Sequence, residues 1–478
     1  MIAFLVAGTA SGVGKTTTAL SLMAAFRQRG LTVQPFKCGP DFLDTSHHTA
    51  ICGRPSRNLD TWMLDLENNR SIFARACRDA DVAIVEGMMG LFDGVAGNGD
   101  QGSSAEIAKQ LGLQVILVLD ASKSARSLAA VVKGFELFDP ELRFAGVVLN
   151  GVAGLNHYRI LEQAIVSSCT TPILGWLPRT EEVVIPERHL GLHSAVEQQD
   201  SGERLQAFAA LSEKNLDLDR LMQSESIHKS DGFTRSEIPA AGPADHFAPR
   251  MVDRLADSRK IRVGVARDRA FSFYYADNFD ILEEHGAEIV EFSPLADTHL
   301  PNELDAIYLG GGYPELHAQA LSENQPALAA MRSFATAGKP IYAECGGMMY
   351  LAETLTTLEG NTFPMAGVLP LDIRMTRKLV HFGYAEVEFT ADCLLGSKGT
   401  RMRGHSFHCS DAVPTGALAN AYRVCYTLSG RQEDEGYSRG RVLASYIHLH
   451  FRANPSVAKA FLKQALEASA VGLEGRLL

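Results

Sequence analysis

The chain has 478 residues, of which 46% are hydrophobic and 21% are charged, and its net charge is −11. This length predicts at least two domains with the composition of a globular protein, and the acidic balance without a clustered basic face disfavours nucleic acid as the main partner. No apolar run approaches the roughly 20 residues that cross a bilayer, so no membrane segment is predicted. The eight cysteines are scattered without a C-x-x-C pair, which predicts neither a zinc site nor a disulfide framework and favours a cytoplasmic protein.

In the first 200 residues, short and nearly continuous apolar runs alternate with stretches of helical spacing. Such runs are typical of strands that are buried on both faces of a parallel sheet. The predicted strands are Ile2–Ala7, Thr32–Phe36, Val82–Val85, Val115–Leu119, Ala145–Leu149 and Pro172–Trp176, and the predicted helices include Thr16–Arg29 and Ser104–Leu111. The pattern predicts a doubly wound α/β domain over residues 1–200.

The middle of the chain is polar and rich in Ser, Asp, Glu and Pro, and we interpret residues 201–260 as a linker with one or two helices. A second α/β domain is predicted over residues 261–478. Its predicted strands are Ile261–Ala266, Glu288–Phe292, Ala306–Leu309 and Pro340–Ala343, and a region richer in β-structure follows. The fold class is therefore α/β, with two domains that each have a mainly parallel sheet flanked by helices.

A glycine-rich loop separates the first predicted strand from the first predicted helix. Its sequence, Gly8-Thr-Ala-Ser-Gly12-Val-Gly14-Lys15-Thr16, resembles a P-loop, although the first glycine lies one position earlier than in the strict pattern. Backbone amides would bind phosphates, Lys15 would contact the outer phosphate oxygens, and the Thr16 hydroxyl would bind Mg²⁺. The predicted ATP contacts are Gly12, Gly14, Lys15, Thr16, Thr17 and Asn150.

Acidic residues follow two other strands at the same predicted edge of the sheet. Asp41 comes after the second strand and Glu86 ends the third, where both could bind Mg²⁺ together with Thr16. Either residue alone could instead cap a helix. Asp93 lies at the end of a glycine-punctuated loop from which it could position a substrate. Asn150 ends another strand, where reading adenine and stabilising a turn are both open.

The stretch Pro340-Ile-Tyr-Ala-Glu-Cys345-Gly-Gly predicts a strand, a sharp turn and a helix, with the cysteine at the turn. This is the arrangement of a nucleophile elbow, and the helix N-terminus is expected to lower the pKa of the thiol. The glycine that commonly precedes such a nucleophile by two residues is replaced by Ala343. A lone cysteine is more often a buried apolar residue, and we expect that for the other seven.

Two further segments of the second domain complete this site. The three glycines Gly310, Gly311 and Gly312 follow a strand, and their N–H groups are expected to be free to face an oxyanion opposite the thiol. His448 is predicted to be the general base and acid, because a histidine at a strand end can reach an elbow cysteine in the same domain. Lone histidines are usually structural or surface groups, so the prediction depends on Cys345.

These motifs together resemble a known family. The first domain is similar to P-loop domains of the dethiobiotin synthetase type, and the second is similar to class I glutamine amidotransferases. Their combination resembles the cobyrinic acid a,c-diamide synthases of cobalamin biosynthesis nearly from end to end. The motifs that carry the resemblance are Gly-Pro-Asp41-Phe-Leu43-Asp44, Glu86-Gly-Met-Met-Gly-Leu-Phe-Asp93-Gly, Gly310-Gly-Gly-Tyr-Pro-Glu315 and Tyr446-Ile-His448-Leu-His450-Phe.

The resemblance implies a ligase with two coupled sites. Cys345 and His448 would release ammonia from glutamine, and ATP with Mg²⁺ would phosphorylate the a and c carboxylates of cobyrinate or hydrogenobyrinate so that ammonia displaces phosphate. Asp41 and Leu43 would contact substrate, Asp41 and Glu86 would handle metal, and Asp93 would lie at the activating site. Ordinary class I domains carry Glu two residues after the histidine, and here that position is His450, which leaves the third catalytic member open.

Three other functions fit some of the same motifs. The nearest is the same reaction on another tetrapyrrole such as nickel-sirohydrochlorin, and cobyric acid synthases fit the acidic motifs less well. A different class is a P-loop switch ATPase with an inert amidotransferase-like module, against which Cys345 and His448 argue. The macrocycle and the oligomeric state, including a homodimer, stay open at this stage.

Overall fold

The computed structural model describes residues 1–179, 183, 201–224 and 259–474. The chain divides into two compact units, Met1–Pro243 and Ala244–Leu478, and this division falls inside the range that the sequence assigns to a linker. Most of the predicted linker, residues 225–258, lies outside the described residues. In the described part, no helix is both long and apolar enough to cross a membrane.

The first unit has a seven-stranded sheet in the order β3-β2-β4-β1-β5-β6-β7, and all of its strand pairs are parallel. Its strands are β1 (Ile2–Gly8), β2 (Val33–Cys38), β3 (Arg57–Leu59), β4 (Val82–Glu86), β5 (Gln114–Asp120), β6 (Arg143–Val152) and β7 (Ile173–Pro178). Its helices are α1 (Lys15–Gln28), α2 (Leu43–Cys52), α3 (Leu66–Ala76), α4 (Ser104–Leu111), α5 (Ser127–Phe138), α6 (Leu155–Val166), α7 (Ser201–Asn215) and α8 (Leu218–Met222). The six predicted strands are all present, and the short β3 is an addition.

The strand order places the glycine-rich loop at the centre of this sheet. Strand β1 is buried along its whole length and lies between β4 and β5. Strands β2, β3 and β4 lie on one side of β1 in the sheet, and β5, β6 and β7 lie on the other side. Because the carboxyl ends of parallel strands meet at one edge, the loop after β1, the end of β2 and Glu86 at the end of β4 come together there. The sheet topology therefore creates the crevice that the sequence predicted.

Helix α7 packs on α1, although it begins after the predicted domain boundary at residue 200. Phe208 and Ala209 of α7 are buried in the same apolar core as α1. At the surface, Arg29 at the end of α1 contacts Glu213 and Asp219, each at 2.7 Å. Residues 201–224 thus contribute to the core of the first unit.

The second unit contains a ten-stranded mixed sheet in the order β21-β16-β15-β18-β19-β20-β11-β10-β8-β9 and a small four-stranded sheet in the order β13-β12-β14-β17. The strands are β8 (Ile261–Ala266), β9 (Ala287–Phe292), β10 (Ala306–Leu309), β11 (Ile341–Glu344), β12 (Thr354–Thr356), β13 (Thr362–Pro364), β14 (Leu371–Met375), β15 (His381–Phe389), β16 (Arg401–His408), β17 (Ser410–Pro414), β18 (Ala419–Tyr426), β19 (Gln432–Arg439), β20 (Val442–Ser445) and β21 (His448–Leu449). The helices are α9 (Ala276–Glu284), α10 (Ala318–Glu323), α11 (Gln325–Thr336), α12 (Gly346–Leu351) and α13 (Ser456–Glu474).

Only part of the large sheet is parallel. Strands β20, β11, β10, β8 and β9 form adjacent parallel pairs, as expected for an α/β sheet, and the four strands predicted there are present. The remaining strands extend the sheet with antiparallel pairs, so the second sheet is mixed where the sequence predicted a mainly parallel one. The predicted thiol follows the parallel strand β11, and the predicted histidine begins β21, which pairs with β16 in the antiparallel part.

Candidate active sites

The glycine-rich loop has the backbone that phosphate binding requires. Gly12 and Gly14 adopt φ angles of 77° and 99°, in the left-handed region that favours glycine. A Cβ atom on Gly14 would lie 2.2 Å from Nδ2 of Asn150, and this Nδ2 donates a hydrogen bond to the Val13 carbonyl at 2.9 Å. Asn150 therefore stabilises the loop, while its contact with adenine stays a prediction.

Lys15 and the two threonines lie where the loop enters α1. The Nζ atom of Lys15 donates to the Ala10 carbonyl at 2.9 Å, which folds the side chain back over the loop. Burial and the nearby charge of Lys37 lower the pKa of Lys15. Thr16 and Thr17 are half-buried in the first turn of the helix.

Glu86 is the centre of a buried polar cluster at the end of β4. Its Oε1 accepts hydrogen bonds from Thr16 Oγ1 at 2.6 Å and from Lys37 Nζ at 3.0 Å. Its Oε2 lies 2.7 Å from His48 Nε2, and Lys37 also contacts Asp44 at 2.5 Å. The structure thus brings Thr16 and Glu86 into direct contact at the edge of the sheet where the sequence predicted both, and their binding of Mg²⁺ stays a prediction.

The carboxyl groups of Asp44 and Glu86 in this cluster differ in their pKa values. Burial and the charge of Glu86 raise the pKa of Asp44 to about 8. Burial also opposes charge on Lys37 and Glu86. The attraction of Asp44 and Glu86 outweighs it for Lys37 and raises that pKa, and the attraction of Lys37 with the hydrogen bonds of Glu86 outweighs it for Glu86 and lowers that pKa. A buried Lys⁺ beside an ionised Glu86 is the expected resting state.

Three further residues belong to the predicted site, namely Asp41, Leu43 and Asp93. Asp41 Oδ1 accepts the backbone N–H groups of Leu43 at 2.6 Å and Asp44 at 3.1 Å, so it caps α2. The Leu43 side chain is buried. Asp93 is exposed, and its Oδ2 accepts the N–H of Gly90 at 2.8 Å. Contacts of these residues with metal or substrate stay predictions.

The donor set fits a magnesium nucleotide. Within the described ranges, no group of three or more His, Cys, Asp or Glu side chains is arranged to hold a metal ion. A cation at a P-loop needs fewer protein ligands, because phosphate oxygens and water complete its coordination shell. The Thr16 hydroxyl and the Glu86 carboxylate are hard oxygen ligands 2.6 Å apart, beside a loop whose backbone has the required left-handed residues.

In the second unit, Cys345 lies at a sharp turn between β11 and α12. Its φ and ψ angles of 46° and −101° lie outside the regions that L-residues ordinarily adopt. Strand β11 pairs in parallel with β20, and the Cys345 N–H donates to the Ser445 carbonyl at 2.7 Å. This strained turn is the backbone of a nucleophile elbow, and such strain is concentrated at functional sites.

The glycine loop after β10 lies against both the elbow and His448. A Cβ on Gly311 would lie 2.5 Å from His448 Cε1, and a Cβ on Gly346 would lie 3.0 Å from the Gly312 nitrogen. The N–H of Gly310 donates to the Tyr274 hydroxyl at 2.8 Å, and the N–H of Gly311 donates to the Phe273 carbonyl at 3.2 Å. The prediction of free donors is wrong for these two amides, because the segment around Phe273 folds across the loop.

The thiol is also less acidic than the sequence predicted. Burial, together with the negative charge of Glu315, raises the pKa of Cys345 to about 12. The N–H of Gly346, at the start of α12, is hydrogen-bonded to the sulfur and lowers that pKa, but burial outweighs it. The thiol is therefore neutral in the resting protein, and a role as nucleophile would require a base to take its proton.

His448 has a carboxylate beside it that the sequence did not predict. The Nδ1 atom of His448 lies 3.6 Å from Oε2 of Glu344, the residue before Cys345. His450, at the position of the usual catalytic glutamate, is fully buried and packs on Tyr275 with ring centroids 4.8 Å apart. The sequence contains a signal for the role of Glu344, because this residue ends an otherwise apolar strand and a buried charged residue needs a partner.

The comparisons with known proteins cover both units. Residues 4–192 match the CobQ/CobB/MinD/ParA nucleotide binding domain, and residues 262–456 match the CobB/CobQ-like glutamine amidotransferase domain. A cobyrinate a,c-diamide synthase of Syntrophotalea carbinolica is 43% identical over 462 residues, which are 96% of this chain and 97% of that protein. This chain belongs to the cobyrinate a,c-diamide synthase family.

Two other cobyrinate a,c-diamide synthases match over a similar length. The enzyme of Salmonella typhimurium is 42% identical and that of Leptospira interrogans is 40% identical, each over 97% of this chain and 98% of the relative. Membership in the cobyrinate a,c-diamide synthase family confirms the resemblance of the whole chain. Both candidate sites lie inside the matched domains, with Lys15 and Glu86 in the first and Cys345 and His448 in the second.

Proposed function

We propose that this protein is a glutamine-dependent ligase that amidates the a and c side-chain carboxylates of cobyrinate or hydrogenobyrinate in cobalamin biosynthesis. The similarity to cobyrinate a,c-diamide synthases over at least 96% of the chain carries the proposal, because it spans both sites. The buried Thr16–Glu86–Lys37 cluster and the Cys345 elbow support it from the geometry. A switch ATPase would have no need for a strained cysteine turn beside a histidine.

The second unit supplies ammonia. Cys345 Sγ attacks the side-chain amide carbon of glutamine as its proton moves to His448, and His448 then gives a proton to the departing ammonia. The neutral resting thiol fits this order of events, since sulfur loses its proton only when a base takes it. A water molecule activated by His448 releases glutamate from the sulfur.

The first unit activates the carboxylate. The backbone amides of the loop and Lys15 would bind phosphates, Thr16 and Glu86, which are hydrogen-bonded to each other, would hold Mg²⁺, and Asn150 keeps the loop in place. MgATP, when bound, supplies the phosphoryl group that makes the carboxylate reactive toward ammonia. Asp93 and Asp41 lie at the margin of this crevice, where they orient the acidic substrate and its cation.

The decisive experiment gives the purified protein MgATP, glutamine and each of three macrocycle classes, with cobalt, with nickel and without metal. Two amides per cobyrinate or hydrogenobyrinate, detected by mass spectrometry, are expected. Conversion of the nickel macrocycle alone would mean that the proposed reaction is correct but that its substrate is a nickel tetrapyrrole. ATP hydrolysis without any amide product would contradict the proposal and favour a switch ATPase.

A cysteine variant separates the two half-reactions. Cys345→Ala should abolish amidation with glutamine and retain amidation with free ammonia, because the first unit is unchanged. Cys393→Ala is the matched control, since Cys393 is a half-buried cysteine of the same unit outside the site. Product formation by mass spectrometry with each nitrogen source checks this, and a loss with both sources would contradict the division of labour between the units.

A further inference from the structure

The residue before the nucleophile faces away from the thiol into a buried polar network. Strand β11 alternates its side chains, so Tyr342 and Glu344 share one face, while Ala343 lies in the core cluster on the other face with Cys345. Glu344 is 1% exposed. Its Oε1 accepts hydrogen bonds from the Tyr342 hydroxyl at 2.8 Å and the Leu449 N–H at 3.0 Å.

The other carboxylate oxygen lies beside the catalytic histidine. Oε2 of Glu344 accepts a hydrogen bond from the Tyr308 hydroxyl at 2.9 Å and lies 3.6 Å from Nδ1 of His448. Asn278 binds the same chain segment, with Nδ2 donating to the Leu449 carbonyl at 2.8 Å and Oδ1 accepting the Phe451 N–H at 2.8 Å. The backbone after His448 is therefore fixed by Glu344 and Asn278 together.

We propose that Glu344 is the positioning residue for His448 and acts in place of the carboxylate that class I amidotransferases carry two residues after the histidine. This inference rests on the proposed glutaminase reaction of Cys345. When the S–H bond of Cys345 breaks and its proton binds His448, a positive imidazolium forms in a site with little water. A carboxylate 3.6 Å from Nδ1 stabilises that imidazolium and fixes the ring orientation.

The other titratable groups that face His448 do not supply this charge. His405 lies opposite His448 in the pairing of β16 with β21, and His408 is on the same strand as His405. Burial lowers the pKa of His405 and of His408 to about 3, so both are neutral at working pH. The nearby Cys345 thiol is neutral as well, because burial raises its pKa to about 12.

The test is the pH profile of glutamine hydrolysis by the full-length protein carrying Glu344→Gln. Loss of the carboxylate should lower kcat by about 100-fold and move the acid limb of the profile to lower pH by about one unit, because an imidazolium without its counter-charge loses its proton more readily. KM for glutamine should stay within about threefold of the parent value. A purely structural role would not shift the acid limb.

Two variants make the result specific. Glu344→Asp keeps a carboxylate and should restore the acid limb to its original pH, with part of kcat. Tyr342→Phe removes one hydrogen bond to Glu344 without touching His448, so its acid limb should stay unchanged. A Glu344→Gln enzyme with parental kcat and acid limb would overturn the inference, as would the same loss and shift in Tyr342→Phe.

The outcome for Cys345→Ala distinguishes this inference from the proposed function. If the parent hydrolyses glutamine, Cys345→Ala does not and Glu344→Gln behaves like the parent, only the role of Glu344 fails. If Cys345→Ala still hydrolyses glutamine, the proposed glutaminase site itself fails.

Discussion

Glu435 shows at the residue scale how burial competes with hydrogen bonds. Its Oε2 accepts the Ser445 hydroxyl at 2.6 Å and its Oε1 accepts the Tyr446 N–H at 2.6 Å, which secures the chain between β20 and His448. Burial raises the pKa of Glu435 to about 7 and outweighs the lowering effect of these hydrogen bonds. The sequence offered no reason to select this residue among the acidic residues of the same strand.

A pH dependence of stability follows from that raised pKa. Between the usual pKa of 4.5 and about 7, the folded protein keeps a proton on Glu435 that the unfolded chain has released. The contribution of this residue to the free energy of unfolding is therefore present at low pH and is lost as pH rises, by about 3 kcal/mol in total. Denaturant unfolding at pH 5 and pH 8 should show the stability advantage of the parent over Glu435→Gln shrinking by most of that amount. An equal difference in the free energy of unfolding between the parent and Glu435→Gln at both pH values would contradict this prediction.

At the scale of elements, Asp41 caps the start of α2 and is also the residue predicted to handle metal and substrate. The carboxylate that the sequence assigns to metal and substrate accepts the N–H groups of Leu43 and Asp44, as a helix cap does. Of the two alternatives that the sequence left open for this residue, the capping role is observed, and the metal and substrate role stays a prediction. A substitution that keeps the cap but removes the charge can separate them.

Asp41→Asn should fold with nearly the parental stability, because asparagine caps helices as well as aspartate, whereas Asp41→Ala should lose about 1 kcal/mol. If Asp41 also handles the cation or the substrate, Asp41→Asn lowers amidation by at least about tenfold with glutamine and with ammonia, while glutamine hydrolysis is retained. Product mass, glutamate release and denaturant unfolding measure the three quantities. Parental amidation by Asp41→Asn would leave Asp41 with the capping role alone.

On the scale of the whole molecule, the proposed function assigns one half-reaction to each unit. Lys15→Ala should stop amidation with either nitrogen source, because phosphate binding is lost, and should leave glutamine hydrolysis in the second unit measurable. Lys133→Ala is the control, since this lysine of the first unit pairs with Glu136 on the outer helix α5. Glutamate release and product mass are measured for both variants, and amidation by Lys15→Ala with free ammonia would refute the P-loop assignment.

The sequence predicted most of the elements that position the sites, for a physical reason that applies along the chain. Buried parallel strands are continuous apolar runs, so β1, β4 and β5 were visible from their composition. Strand β3 has only three residues and includes Arg57 and Asn58, so no apolar run identified it. Glycine-rich turns are equally local, and the loop at Gly8–Thr16 and the turn at Cys345 were recognised from their spacing.

The residues that contact those local motifs lie far away along the chain, so the spacing within a motif does not predict them. Contacts of Glu86 with Thr16 and Lys37 join residues 70 and 49 positions apart, and the contact of Glu344 with His448 joins strands whose order only the folded sheet defines. The pKa of the Cys345 thiol also depends on the folded structure, because burial outweighs the effect of the helix N-terminus. The α/β class, the nucleotide-binding and amidotransferase motifs and the cysteine that we propose as nucleophile could all be predicted from the amino-acid sequence. The carboxylate that faces His448 and the glycine amides that are already hydrogen-bonded became known from the folded protein alone, because burial and pairing are properties of the packed chain.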